Sequence, residues 1–532
     1  MSAALGYLPV DQGPPRNKHA MSAARVLQDP VARTPEHEAL VARSGRLTYR
    51  ELDHLASLSG SALRSLGVKR GDRVAVSLPN DISIVAAFHG AMRIGAIWVG
   101  INRKLAPPEK EYILSDCTPS VFLADHQVLA QMQRLTESDK TLRLVSAGVP
   151  GSEWEELLSL ADIDPFDPPD PLGPAAIAYT SGTTGLPKGA VHSQHNLMLP
   201  GAVITSQRSY GPSLRKADCF PLTILNLQVL STLLAAQAGG TAIVMDRLDP
   251  VGIAQWIESE RATVFNGAPA MLYSLAANEE VHPDSLRSLN EVWSGGSNCS
   301  ALIQEMFTSK FGHFVHNTYG LTEAPAAVSI QPLHDYHGGQ PNCSGRPLPH
   351  LEVEIVDNSG KLAPTGCIGE ITLRAKASGP WANSYRPMLS YWNRPKETAE
   401  TIRQSVLRTG DIGWMDREGY LGVQDRQSSV ILRGGANIYP AEVERILDSH
   451  PQIAASCVVG VPDERLGERV VAVVQPAEGV TVDTAMLYDL CETNLARYKI
   501  PEAFIIGSLP RNSMEKIQRR EVARWAAQRM EG

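Results

Sequence analysis

No C-x-x-C pair occurs in the 532 residues, and the seven cysteines, Cys117, Cys219, Cys299, Cys343, Cys367, Cys457 and Cys491, are scattered and odd in number. That spacing argues against structural zinc and fits a reduced, cytoplasmic setting. No run of five or six basic residues occurs, and the formal net charge is -8, so neither nucleic acid nor an anionic membrane is expected as a partner. The most apolar stretch, around Ala86 to Ile101, carries His89 and Arg93 and is too short and too polar to span a bilayer. The first twenty residues hold Pro, Asp and Gly in place of a continuous apolar core, so a secretory leader is not expected. There is no Walker pattern either. In Tyr179 to Gly189 (YTSGTTGLPKG), Lys188 follows Pro187 and no hydroxyl comes after it to hold magnesium.

What is present is an ordinary globular balance, 43% hydrophobic and 20% charged, in a chain long enough for two or more domains. Thr48 and Glu51 have capping-box spacing, Leu52, Leu55, Ala62, Leu63 and Leu66 recur at helical period, and Gly67 supplies a stop. The following RGDRVAVSLP reads as a buried strand. Strand, helix and strand return at Thr241 to Met245, Ile253 to Glu260 and Ala262 to Asn266. The expected fold is α/β, with a large N-terminal domain of mixed sheets flanked by helices. A change of character near Asp425 to Ser429 marks a small α+β C-terminal domain, with boundaries at 1–425 and 426–532. Its expected elements are a helix, Ala441 to Leu447, and strands Ala454 to Val461 and Val470 to Val474.

The apolar strand AAIAY runs directly into the Gly/Ser/Thr-rich loop, and loops at strand ends are where α/β sheets bind ligands. Thr180, Ser181, Gly182, Thr183 and Thr184 offer hydroxyls and amides to an anion, glycine permits close backbone approach, and Lys188 adds positive charge. Composition alone leaves this loop open between a phosphate cradle and a surface turn.

The full eleven-residue string closely resembles the signature of the adenylate-forming superfamily, which includes acyl-CoA and aryl-CoA synthetases, firefly luciferase and peptide-synthetase adenylation domains. The resemblance spans about 45 to 525, because further motifs occur in the expected order. These are Asn317-Thr318-Tyr319-Gly320-Leu321-Thr322-Glu323, Thr409-Gly410-Asp411, Asp425-Arg426, the run from Gly434-Gly435 to Glu444, and Leu509-Pro510-Arg511-Asn512 leading to Lys516.

The resemblance implies an ATP-dependent acid–thiol ligase. A carboxylic acid and ATP give acyl-adenylate and pyrophosphate, and the acyl group then passes to CoA with release of AMP. It implies Mg²⁺ on Glu323, α-phosphate contact by Thr322, and an adenine slot of Gly295, Gly296, Ser297, Asn317, Thr318 and Tyr319. Asp411 would accept the ribose hydroxyls and Arg426 would reach ribose or phosphate. Lys516 would neutralise charge between carboxylate and α-phosphate, then give way to a thiol as the mobile small domain rotates and brings Gly434 and Gly435 toward pantetheine. The acyl pocket is sought in Phe220 to Gln228, Phe265 to Met271, Trp293 to Cys299 and Ala324 to Val328. Ile224, Asn226, Phe265, Gly267, Trp293 and Ala324 are the candidate lining. Few charges there favour an aromatic or medium aliphatic acid.

Four positions depart from the usual pattern. Ser428 holds the hinge, Glu515 stands where Gly commonly precedes the lysine, and Ser297-Asn298-Cys299 replaces small apolar residues and Pro. Ile224 replaces a gate His, with His192, His195 and His316 as candidate substitutes. Cys299 reads as a packed side chain. Loading of a carrier protein in trans, and a degenerate nucleotide-binding protein with weak turnover, stand as alternatives. A homodimer is left open.

Overall fold

The computed structural model describes residues 20–132, 142–163, 165–180, 187–296, 299–333, 342–357, 359–426, 429–433, 436–463, 467–495, 497–512 and 515–531. The capping box forms as its spacing requires. Thr48 caps helix Tyr49–Ser65 and Glu51 returns the bond to the Thr48 amide at 2.8 Å. Gly67, at φ +86°, ends it and leads into strand Arg73–Ser77. Helix Ile82–Ile94 follows, buried nearly all round, capped by Asp81 and stopped by Gly95 at φ +73°. This helix and strand Ile97–Gly100 account for the most apolar stretch; among the described residues no helix is long and apolar enough to cross a membrane.

Among the described residues the strands form four sheets. A seven-stranded sheet runs in the order Ser390–Tyr391, Lys188–Ser193, Pro174–Thr180, Ile97–Gly100, Arg73–Ser77, Val121–Ala124, Arg143–Ser146. Its last five strands are parallel. A nine-stranded sheet holds parallel strands Val315–Tyr319, Glu291–Ser294, Val264–Gly267, Arg215–Asp218, Thr241–Val244 and Glu38–Ala42, with antiparallel edges. A five-stranded sheet is built on Gly369–Ala375 and Val406–Met415 and carries Leu421–Arg426. The fourth sheet contains Ile453–Asp463, Gly467–Pro476 and Ala503–Ile506.

The mixed α/β architecture with a large N-terminal and a small C-terminal part therefore stands. Apolar clusters of the large part draw on residues up to Val423, and two separate clusters draw on residues from Ile431 onward and from Ala455 onward. In the small part, helix Pro440–Leu447 buries Val443 and Leu447 against the sheet. Helix Arg519–Glu531 covers the other face with Val522 and Ala526. All seven cysteines are free, and only Cys367 is exposed.

Candidate active site

Strands Pro174–Thr180 and Lys188–Ser193 are an antiparallel pair with Thr180 opposite Lys188. They hold the two ends of the Gly/Ser/Thr loop at the edge of the parallel sheet. Ser181, Gly182, Thr183 and Thr184 lie outside the described residues. The loop's anchors are firm: Tyr179 donates to Asp116 Oδ2 at 2.7 Å, and the Pro187 carbonyl accepts from Tyr112 at 3.0 Å. Gly189 is required sterically, since a Cβ there would meet Ile177 at 2.6 Å.

The Lys188 ammonium lies 4.5 Å above the ring of Tyr391, a cation–π contact. Tyr391 sits in the two-residue strand Ser390–Tyr391, which pairs with Lys188–Ser193. Its hydroxyl donates to Glu323 Oε1 at 2.6 Å, and the Met388 amide donates to the Glu323 carbonyl at 2.9 Å. One phenol thus joins the phosphate-loop lysine to the candidate metal carboxylate. Sequence reasoning missed Tyr391; its only local signal is an aromatic pair, Tyr391-Trp392, in a segment with no periodicity. Beside Glu323, half-buried Thr322 presents its backbone to His192, which is fully buried and whose pKa burial pushes down to about 4, so its imidazole is neutral.

At the other end of the site, Gly295 and Gly296 follow strand Glu291–Ser294. A Cβ on Gly295 would stand 2.5 Å from Thr318 Oγ1, which donates to the Ser294 carbonyl at 3.0 Å. Gly296 takes φ +85°, and Ser297 lies outside the described residues. The Asn317 backbone N–H donates to Gln331 Oε1 at 2.8 Å, while Asn317 Oδ1 is buried and makes no hydrogen bond among the described residues. Tyr319 donates to Asp411 Oδ2 at 2.6 Å, and both residues are buried. Asp411 follows Gly410, at φ +69°, and its amide donates to Thr409 Oγ1 at 3.0 Å. Arg426 pairs in register with Asp411 across strands Val406–Met415 and Leu421–Arg426.

Lys516 stands on an exposed turn of the small part. The turn is closed by Asn512 N–H to the Lys516 carbonyl, 2.8 Å, and Lys516 N–H to Asn512 Oδ1, 3.0 Å. Arg511 donates to the Glu515 carbonyl at 2.8 Å, and Glu515 takes φ +59°. That left-handed backbone explains why glycine suits this position. Gly434, Gly435 and the hinge residue Ser428 lie outside the described residues.

The acyl-pocket candidates divide between two faces of the nine-stranded sheet. Asn266 and Trp293 are register partners and share a face. Phe265 alternates to the opposite face, 0% exposed in the main core, so its side chain packs the interior instead of lining this face. Trp293 is also buried, its Nε1–H given to Glu291 at 2.6 Å, and it forms floor more than wall. Gly267 is packed against Leu272, and Ala324 is buried. Ile224 and Asn226 are half-buried on the segment in front of the sheet.

None of the candidate histidines substitutes for Ile224 as a solvent-facing gate. His192 and His316 are buried, and His195 Nδ1 accepts from the Met21 amide at 3.2 Å while its Nε2 meets the Ser384 carbonyl at 2.8 Å. Cys299 is buried and its thiol is pushed up to about 12, which removes it as a nucleophile.

The sequence profile of the AMP-binding enzyme family matches residues 27–379, and that of the AMP-binding enzyme C-terminal domain matches 442–516. An indoleacetate–CoA ligase of Aromatoleum aromaticum is 34% identical over 91% of this chain and 94% of its own length. A feruloyl-CoA synthase of an Amycolatopsis species is 34% identical over 93% and 97%. The crystal structure of an anthranilate CoA ligase in complex with anthranoyl-AMP superposes with a TM-score of 0.87 at 25% identity, covering 96% of this chain and 97% of that one. The chain belongs to the AMP-binding enzyme family, the adenylate-forming superfamily, and within it to the acyl-CoA synthetases.

Proposed function

We propose that the chain activates an aromatic or medium aliphatic carboxylic acid, with the phosphate end of its site at Lys188, Tyr391 and Glu323 and the nucleoside end at Tyr319 and Asp411. The carrying observation is that one side chain, Tyr391, contacts both Lys188 and Glu323.

A carboxylate approaching a polyphosphate meets like charge, so the first task is neutralisation. Lys188, with Thr180, Ser181, Gly182, Thr183 and Thr184, holds the outer phosphates. Glu323, with one oxygen fixed by Tyr391, would hold Mg²⁺, a hard cation suited to a carboxylate. Bound Mg²⁺ supplies charge neutralisation. Thr322 donates to the α-phosphate. Adenine packs on Tyr319 between Gly295, Gly296, Ser297 and Thr318, where the unpartnered Asn317 Oδ1 suits an amino donor. Asp411 accepts the ribose hydroxyls, and Arg426 adds a positive contact.

Lys516 comes from the small domain, for which we take 426–532 against 1–425. It pairs with the carboxylate oxygen as that oxygen bonds to the α-phosphorus and pyrophosphate leaves. In the second half-reaction the CoA thiol, losing its proton, bonds to the acyl carbon and AMP departs. Gly434 and Gly435 then face the pantetheine arm. The relatives named for indoleacetate and ferulate, and the neighbour holding anthranoyl-AMP, all carry aromatic acids, which supports an aromatic acid here. Seven free cysteines support a cytoplasmic setting.

The test is incubation with Mg-ATP, CoA and a panel of aryl and aliphatic acids, read by mass spectrometry for AMP and thioester. Thioesters of aromatic or medium-chain acids are expected. Adenylate that is discharged only by a carrier protein would instead favour loading in trans.

A further inference from the structure

On the face shared by Asn266 and Trp293, strand Arg215–Asp218 places Lys216 and Asp218. Val264 pairs with Lys216 and Phe265 with Ala217, so the register carries Asp218 beside Asn266. Lys216 is 0% exposed and Asp218 1%, and Nζ meets Oδ2 at 2.7 Å. The ammonium also lies 5.0 Å over the Trp293 ring. Ser231 and Asn266 stand against the carboxylate, and among the described residues Asp218 Oδ1 and Ser231 Oγ are buried with no partner in full hydrogen-bond geometry. Burial pushes the Asp218 carboxyl up while Lys216 opposes the shift.

Four features mark this as more than core. A buried ion pair is costly to desolvate, and apolar residues of equal volume commonly serve stability as well or better. An acceptor oxygen left without a donor adds to that cost. Ser231 comes from the π-helical segment Gln228–Leu233, and such widened turns are frequent at functional sites. The pair sits at the carboxyl end of a parallel strand, the ligand side of an α/β sheet. Asn226, Leu230 and Asn266 are half-buried, and Asn266 stands against the Asp218 carboxylate. Strands are spaced about 4.8 Å apart, so Asp218 lies about 10 Å across the sheet from the end of strand Glu291–Ser294. That span suits an aryl acid with a short side chain.

We propose that Asp218, held by Lys216, is the specificity determinant of the acyl pocket and accepts a hydrogen bond from a hydroxyl or N–H group at the end of the acid remote from its carboxylate. The substrate class is then an aromatic acid bearing a distal donor, not a plain hydrocarbon acid. This rests on the acid-activating reading above.

The test compares kcat/KM for two matched pairs: 3-(4-hydroxyphenyl)propanoate against 3-phenylpropanoate, and indole-3-acetate against 1-methylindole-3-acetate. At least one donor-bearing acid should be preferred by about 10²-fold or more, as sites built for a hydroxyl reject analogues lacking it. In the paired variant Lys216→Met/Asp218→Leu, checked for folding by its thermal shift with ATP, the ratio should fall to within about threefold. Should that variant not fold, the wild-type ratios and Asp218→Asn decide. Ratios within about threefold for both pairs in the wild type, or preference retained in a folded variant, overturn the assignment and leave acid activation standing. Absence of AMP with every acid would instead overturn the activation reading and this inference with it.

Discussion

The phenol of Tyr391 and the carboxylate of Glu323, 68 residues apart in the chain, meet at 2.6 Å. The same ring carries the Lys188 ammonium on its face. A hydrogen bond to a charged acceptor is worth about 1.5–3 kcal/mol, so this contact orients the carboxylate proposed to hold Mg²⁺. Tyr391→Phe keeps the ring and removes the donor. The Mg²⁺ concentration for half-maximal ATP binding, followed by calorimetry, should rise about tenfold, since 1.4 kcal/mol is a factor of ten. An unchanged Mg²⁺ dependence would assign Tyr391 to packing alone.

Lys516→Ala should slow adenylation by about 10² or more, the scale of losing a transition-state donor. Thioester formation from supplied acyl-adenylate should be spared, because the proposed role of the lysine is confined to the first half-reaction. Single-turnover kinetics of each half-reaction separate the two. Equal loss of both would contradict a small domain that serves them in turn.

Glu515 occupies left-handed backbone at φ +59° immediately before Lys516. Glu515→Gly removes the Cβ conflict and returns some chain entropy to the unfolded state, a net gain of about 0.5–1 kcal/mol. The midpoint of thermal unfolding of the small domain should rise by a few degrees in calorimetry.

Asp448, at the end of helix Pro440–Leu447, is half-buried near Ser456, Glu444 and Arg511, and desolvation of its carboxyl raises its pKa from 3.8 to about 7. Between those values the folded chain binds the proton and the unfolded chain does not, so this group's contribution to stability falls as pH rises from about 4 to 7. Asp448→Asn should therefore raise the unfolding midpoint at pH 8 relative to wild type, with a much smaller difference at pH 4. The comparison at the two pH values cancels other groups.

Local chemistry made much of this legible in the sequence. Thr48, Glu51 and Gly67 mark a helix by capping and stop signals that need no tertiary contact. The elements around Arg73, Thr241, Pro250 and Pro440 follow from periodicity. The proposed nucleoside end rests on Thr318, Tyr319 and Asp411, which sit in short contiguous motifs. Tyr391 was not, since its role arises from pairing of a two-residue edge strand with Lys188–Ser193. Lys216 and Asp218 look like an exposed strand face until the sheet's register buries them beneath Trp293. Phe265 lies in the main core on the face opposite Asn266 and Trp293, a placement that depends on packing and is not legible in the sequence.

The most direct measurement is acid-dependent exchange of labelled pyrophosphate into ATP without CoA, followed by addition of CoA. Exchange that requires an aromatic acid, with stoichiometric thioester and AMP once CoA is added, is the expected result. Tight ATP binding with no exchange for any acid would contradict the assignment of this site to acyl-adenylate formation.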